Sequence, residues 1–153
     1  MSTIGVTETT AIPSRVIPTN IALKMLRSIK TITIIKSIKT GGRKEYIVGE
    51  EIEIELIIKN GNYLIEDLEV EDTVPVFFQL KEINVRDGKV SVSIGKFKIL
   101  IRISKILPKE EIKINYTIVP ITPGKHLIPS AACYHKGIVI GASEPIIISV
   151  KQP

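Results

Sequence analysis

Apolar and polar residues alternate with a period of two along most of the chain after residue 30. In the clearest run, Glu51–Lys59, the apolar residues on one side are Ile52, Ile54, Leu56 and Ile58, and the opposite positions are mostly glutamates. Successive side chains of a strand point to opposite faces of its sheet, so this run predicts a half-buried strand. Similar runs occur at residues 31–39, 64–72, 89–94, 97–103 and 111–118, and shorter ones near 127–134, 137–140 and 145–150.

The same alternation predicts which side chains form the core. In the first run Ile32, Ile34 and Ile38 share a face, and in residues 64–72 the inward residues are Leu64, Leu68 and Val70. The central part of the predicted core consists of Ile52, Ile54, Leu56, Ile99, Ile101, Ile114 and Tyr116.

Turn-forming residues separate the strands. Asn60-Gly61-Asn62 and Asp87-Gly88 lie between alternating runs and predict hairpin turns, because Asn-Gly and Asp-Gly tolerate positive φ. Gly95-Lys96, Pro108 and Pro123-Gly124 mark further turns. Short strands with turn signals every 8–12 residues or so are typical of a sandwich or barrel. The predicted fold class is therefore all-β, a β-sandwich of seven to nine strands over residues 31–153.

The first thirty residues have a different pattern. Residues 1–20 are rich in Thr and Pro, alternate little, and are predicted to form an extended N-terminal arm. Residues 21–30 have helical spacing of Ile21, Met25 and Ile29, and Asn20 could cap such a helix. A strand over 23–29 is the competing interpretation, because ten residues make a marginal helix. The predicted domains are thus an arm at 1–30 and a sandwich at 31–153.

Composition narrows the class of protein. The chain has 153 residues, 44% of them hydrophobic, which excludes wholesale disorder. It contains 31 Ile and many Lys and Glu but few amides, a composition typical of hyperthermophiles, although AT-rich coding would also enrich Ile and Lys. No apolar run is long enough for a transmembrane helix, and the N-terminus lacks the features of a signal peptide.

Charge divides the chain into three parts. Residues 1–48 carry a net charge of +6, residues 49–74 a net −8, and residues 75–153 a net +7. Complementary fields steer association, so this division is compatible with head-to-tail contact between copies of the chain or with other structural subunits. The alternative is that the charges only solvate the outer strand faces. The predicted interaction residues are Ile4, Val6, Arg15, Val16, Arg27 and Lys30 in the arm, and Glu66, Asp67, Glu69 and Glu71 in the acidic part.

Residues capable of catalysis or metal binding are few. Cys133 and His135 would share a strand face, with His126 upstream. A zinc site needs three or four ligands at recognisable spacings, which this sequence lacks, so a buried Cys and two rim histidines are favoured. The acidic run that ends at Asp72 lacks the pattern of a calcium loop and is interpreted as a solvated outer face.

Two further classes of site are disfavoured. Gly41-Gly42-Arg43-Lys44 lacks the spacing of a phosphate-binding loop. Basic residues are not interleaved with aromatic ones, which disfavours nucleic-acid binding. We therefore expect no catalytic residue, no metal and no cofactor.

The residues that turn the chain carry a resemblance to a known family. They are Val48-Gly49-Glu50, Asn60-Gly61, Asp72-Thr73-Val74-Pro75, Leu107-Pro108-Lys109-Glu110, Tyr116-Thr117-Ile118 and Pro123-Gly124-Lys125-His126. In this pattern the chain resembles the immunoglobulin-like conserved-repeat and CARDB-type modules of archaeal and bacterial surface proteins, over about residues 31–150. The resemblance implies an immunoglobulin-like β-sandwich that acts as a spacer, adhesive unit or assembly subunit and not as a catalyst.

The overall character of the chain, without any motif, is similar to small structural proteins of spindle-shaped archaeal viruses (fuselloviruses). This resemblance implies a virion component, such as a tail, adaptor or capsid-associated protein, that acts through self-association and arm exchange. An extracellular cell-surface filament or adhesion module is the first alternative. An intracellular binding or regulatory module is the second.

Overall fold

The computed structural model describes residues 31–153, which form strands joined by loops. The arm and the helix expected at 21–30 lie outside the described residues. The described strands are β1 (Ile32–Ile38), β2 (Glu45–Ile47), β3 (Ile52–Asn60), β4 (Ile65–Thr73), β5 (Phe78–Asn84), β6 (Val90–Ile94), β7 (Lys98–Ile106), β8 (Glu111–Pro120), β9 (Gly124–Ile128), β10 (Ala132–His135), β11 (Ile138–Ala142) and β12 (Ile146–Lys151).

These strands form three sheets. One sheet has the order β11-β10-β4-β7-β6, a second β1-β3-β8-β5, and a third β9-β12-β2. Neighbouring strands are antiparallel except for β12 and β2. The all-β sandwich is confirmed. The segments outnumber the expected seven to nine because short strands such as β2 and β10 add to the long ones.

The core lies between the five-stranded and four-stranded sheets, where the inward side chains of β4 and β7 meet those of β3 and β8. All seven residues predicted for the centre of the core are buried, with Ile54, Leu56, Ile99, Ile101 and Ile114 completely inaccessible. Burial of so many branched apolar side chains supplies the main driving force for this fold.

Two predicted hairpins are wrong, because the strands that they join belong to different sheets. Asn60-Gly61-Asn62 leads from β3 in the four-stranded sheet to β4 in the five-stranded one, and Asp87-Gly88 leads from β5 to β6 in the same way. The Asn60 side-chain amide donates to the carbonyl oxygens of Tyr63 at 2.6 Å and Leu107 at 2.9 Å. This asparagine therefore ties two crossing loops together at a corner. Gly95-Lys96 does join the paired strands β6 and β7.

The start of β4 also differs from the prediction. Leu64 is 43% exposed, and Ile65 is the buried residue. Asp67 has φ 57°, so two exposed residues, Glu66 and Asp67, follow each other before the alternation resumes at Leu68. The local backbone excursion shifts the inward face by one residue, which strict period-two alternation from Leu64 does not allow for.

On one side of the sandwich the backbones of β1 and β11 lie in close contact. A Cβ placed on Gly141 of β11 would lie 2.2 Å from the carbonyl oxygen of Ile32 on β1. Only glycine permits that approach. On the opposite side β5 and β6 end their sheets, with no further strand beside them among residues 31–153.

Candidate functional site

Two charged residues occupy inward positions on strands in which apolar and polar residues alternate. Lys36 follows Ile32 and Ile34 at the same period on β1, and Asp72 follows Leu68 and Val70 on β4. Both side chains have 0% of their surface exposed. The interpretation of Asp72 as part of a solvated outer face is wrong, because its position in the period places it inside.

Lys36 and Asp72 meet across the sandwich. Lys36 Nζ lies 2.6 Å from Asp72 Oδ1 and also donates to the carbonyl oxygen of Pro129 at 2.6 Å. The Tyr116 hydroxyl, from β8, donates to the second carboxylate oxygen, Asp72 Oδ2. Lys36 and Tyr116 belong to the four-stranded sheet and Asp72 to the five-stranded sheet. The cluster therefore joins the two layers through polar contacts inside an apolar core.

Burial changes the ionisation of this cluster. Desolvation lowers the pKa of Lys36, and the charge and hydrogen bond of Asp72 offset part of that shift. Desolvation raises the pKa of Tyr116 far above its usual range, and the Asp72 carboxylate adds to this rise. The tyrosine thus stays a neutral donor, and the lysine is easier to deprotonate than one in water.

The acidic residues predicted to interact with other chains lie on the outer face of β4 or beside it. Glu69 contacts Arg102 of β7 at 3.4 Å, and Glu71 contacts Lys98 of the same strand at 3.5 Å. Glu66 pairs in register with Lys105. Much of the negative charge of β4 is therefore met by basic residues of its own sheet.

A shallow groove of about 310 Å³ lies on this outer face, next to β6. It brings two predicted interaction residues, Asp67 and Glu69, close to the edge of the sheet. Its other polar lining residues are Lys89, Ser91, Arg102 and Ser104. The predicted residues of the arm (Ile4, Val6, Arg15, Val16, Arg27 and Lys30) lie outside the described residues.

The edge strands β5 and β6, which end the two large sheets on the same side of the sandwich, differ in chemistry. Strand β5 carries Lys81 and Glu82 and has an irregular register between Leu80 and Glu82, features that discourage strand pairing. Strand β6 has the sequence Val-Ser-Val-Ser-Ile, without charge, proline or register shift. Its valines are half-buried, and Ile94 at its end is 59% exposed. Strand β6 is therefore the edge better suited to pair with another strand.

The cysteine and histidines do not form a common site. Cys133 is buried, and desolvation raises its pKa to about 12. His126 lies in a different sheet, stacked on Phe77 with ring centroids 4.4 Å apart, and its Nε2 donates to the Thr122 carbonyl oxygen at 2.7 Å. His126 is thus a buried residue and not a rim one, contrary to the expectation. In residues 31–153 no three His, Cys, Asp or Glu side chains converge as a metal site would require.

Comparisons with known proteins reveal the fold alone. No family model and no curated protein matches the sequence. The structure is similar to a non-cellulosomal cohesin from the archaeon Archaeoglobus fulgidus (TM-score 0.53, 13% identity, covering 79% of this chain and 91% of that one). It is also similar to the CARDB domain of a Pyrococcus furiosus protein, solved in complex with di-metal ions (TM-score 0.50, 18% identity, covering 81% and 96%).

A third similar structure is the major pilin subunit of Bacillus cereus, with a TM-score of 0.62 and 13% identity. That match covers 78% of this chain and 40% of the pilin. The CARDB resemblance of the sequence is thus matched at the level of fold. The described part of the chain contains no helix long and apolar enough to cross a membrane.

Proposed function

We propose that the protein is a non-enzymatic assembly module that binds further copies of itself by strand addition at β6. The observation that carries this proposal is the β6 edge, an uncharged strand that ends the five-stranded sheet on the open side of the sandwich. An exposed edge of this kind offers unpaired N–H and C=O groups to an incoming strand.

The N-terminal arm is the proposed incoming strand. Ile4 and Val6 are two residues apart, so on an added strand they share a face and continue the inward row of Val90 and Val92. That face would cover the two half-buried valines. Arg15 in the arm is opposite in charge to Asp67 in the adjacent groove, where Glu69 already contacts Arg102. Charge complementarity of this kind sets the orientation of binding more than its strength.

The place where such assembly occurs is a separate part of the proposal. A cohesin and a pilin among similar folds favour an extracellular surface module, whereas the character of the sequence favours a virion subunit of an archaeal virus. Both versions require the same association between chains. Recovery of the protein with purified particles supports the virion version, and recovery with the cell envelope supports the surface version.

The assembly mechanism is tested by deleting residues 1–20 and measuring the mass of the particle by light scattering. We expect the full chain to form oligomers and the deletion variant to be a folded monomer. A synthetic peptide of residues 1–20 should bind the deletion variant and slow hydrogen exchange at residues 90–94. The matched control peptide carries Ile4→Glu and Val6→Glu and should not bind. Oligomers that persist without the arm, or protection at another strand, would contradict the proposal.

A further inference from the structure

The hydrogen bonds around Lys36 and Asp72 do not suit an ion pair completely. A lysine ammonium carries three N–H donors. Among the described residues two acceptors lie within hydrogen-bond distance of Lys36 Nζ, namely Asp72 Oδ1 and the Pro129 carbonyl oxygen. A buried donor without a partner is unfavourable, and more so when it is charged. The ion pair is therefore expensive at this place in the core.

A secondary amide between the same two side chains would suit the surroundings better. Such an amide has one N–H donor and one carbonyl acceptor. The Pro129 carbonyl oxygen is in place to accept from the former, and the Tyr116 hydroxyl is in place to donate to the latter. The amide also carries no charge, so its burial avoids the desolvation cost of two ions.

We propose that Lys36 and Asp72 condense spontaneously to an intramolecular isopeptide bond that links β1 to β4. The geometry carries this inference: the amine nitrogen is 2.6 Å from a carboxyl oxygen, both side chains are inaccessible to solvent, and a neutral donor faces the other oxygen. Holding two reacting groups in this arrangement replaces a bimolecular encounter and so lowers the barrier to their reaction.

The reaction balances without any further reactant. A proton first passes from the Lys36 ammonium to Asp72 Oδ1, which gives a neutral amine and a carboxylic acid. The nitrogen lone pair then attacks the carboxyl carbon, and the carbonyl electron pair moves to Oδ2, where the Tyr116 hydroxyl stabilises it. A nitrogen proton passes to the Oδ1 hydroxyl, the C–O bond breaks, and water leaves as Oδ2 again becomes a carbonyl. One N–C bond replaces one C–O bond, and nothing is oxidised or reduced.

The dry core favours this reaction in two ways. Burial lowers the pKa of Lys36 and so favours its neutral, nucleophilic amine. Exclusion of water also protects the product from hydrolysis. The product would be a covalent tie between the two sheets of the sandwich, in addition to the apolar contacts.

Mass spectrometry of the denatured full-length chain tests the proposal directly. We expect a mass lower than that of the sequence by one water molecule. Trypsin should fail to cleave after Lys36 and should release a branched peptide that joins residues 31–39 to residues 60–81. The exposed pair Lys39 and Glu53, with 3.9 Å between Nζ and Oε2, is the internal control and should remain unlinked in the same digest. A full mass and free Lys36 after prolonged incubation of the folded protein at high temperature would overturn the proposal.

Variants separate this bond from other losses of water. Asp87-Gly88 can lose water by forming a succinimide, so Lys36→Met should restore the full mass; a persistent loss would place the modification elsewhere and overturn the assignment. Tyr116→Phe keeps the ring but removes the donor to Oδ2, and should slow bond formation by about 100-fold. An unchanged rate would remove Tyr116 from the mechanism. Sequencing of the branched peptide from the wild-type protein tests the bond even if neither variant folds.

Discussion

The two faces of β4 place similar charges in opposite surroundings. Glu71 points outward and is 3.5 Å from Lys98, with both side chains more than a third exposed. Asp72, the next residue, points inward and is fully buried against Lys36. Exposed pairs gain little because water screens them, whereas a buried charge depends on its partner for most of its solvation. Adjacent carboxylates therefore differ greatly in importance, and the pleat of the strand decides which is which.

Removal of one partner of the inner pair should have the largest effect. Asp72→Ala leaves the Lys36 ammonium buried without a counter-charge, so we expect its free energy of unfolding to lie about 3–5 kcal/mol below that of a variant that lacks both charges. Guanidinium unfolding of the two variants, neither of which can form the Lys36–Asp72 bond, measures this difference. The matched control is the double variant Lys36→Met with Asp72→Leu, which removes both charges and should be much more stable than Asp72→Ala. Equal losses in the two variants would show that charge burial is not the cause.

Truncation of an inner apolar residue should have the next largest effect. Ile54→Ala removes part of a fully buried side chain and leaves a cavity, so the free energy of unfolding should fall by about 2–5 kcal/mol. Glu53→Ala, one residue away on the outer face of β3, should change it by less than about 0.5 kcal/mol. A large loss of unfolding free energy in Glu53→Ala, together with little change in Ile54→Ala, would reverse the assignment of the inner and outer faces of β3.

The buried thiol gives the inner face a measurable pH dependence. Cys133 of β10 lies opposite Val70 of β4, and burial raises the pKa of its thiol from 9.0 to about 12. The contribution of the buried neutral thiol to the free energy of unfolding is fully present below pH 9.0, since the folded and unfolded chains both hold the neutral thiol there. As pH rises through the folded pKa it is lost, because only the unfolded chain forms the thiolate readily.

The stability advantage of the wild type over Cys133→Ala should accordingly shrink between about pH 9 and about pH 12. Iodoacetamide should modify Cys133 in the unfolded chain and leave it unmodified in the folded one at neutral pH. A constant stability difference, or rapid labelling of the folded protein, would be inconsistent with a thiol on the inner face.

Substitutions on the outer face of β4 should change the free energy of unfolding least. Glu69→Gln with Arg102→Gln removes an exposed ion pair, and a double-mutant cycle should give a coupling energy of only about 0.2–1 kcal/mol that decreases with added salt. A coupling energy as large as the effect of Asp72→Ala would erase the distinction between the faces.

The long strands could be predicted from the sequence because their inward faces alternate without interruption. Strand β3 begins and ends within one residue of the predicted run, and its four apolar residues point inward. The start of β4 was predicted with the wrong inward residue because the alternation was extended through a break: Leu64 and Ile65 are both apolar, and the next two residues up to Asp67 are both polar. The loops at Asn60 and Asp87 were misassigned for a related reason: a turn signal marks a change of direction but not the sheet to which the next strand belongs.

The inner pair of Lys36 and Asp72 leaves a signal in the sequence. Lys36 interrupts the row of Ile32, Ile34 and Ile38, and Asp72 continues the row of Leu68 and Val70. Two opposite charges at inward positions of strands from different layers indicate a buried pair. The outward acidic residues were placed correctly, but their basic neighbours on β7 depend on register, which alternation alone does not define.

The narrow contact at Gly141 has an evolutionary consequence. A side chain there would collide with the main chain of β1, so any substitution would have to be accompanied by a movement of β11. Among distant relatives whose sequences have otherwise diverged, we expect glycine to persist at this position, next to freely varying residues such as the exposed Ile138 and Val139. One invariant glycine in an otherwise variable strand would then identify distantly related sequences that share this sandwich.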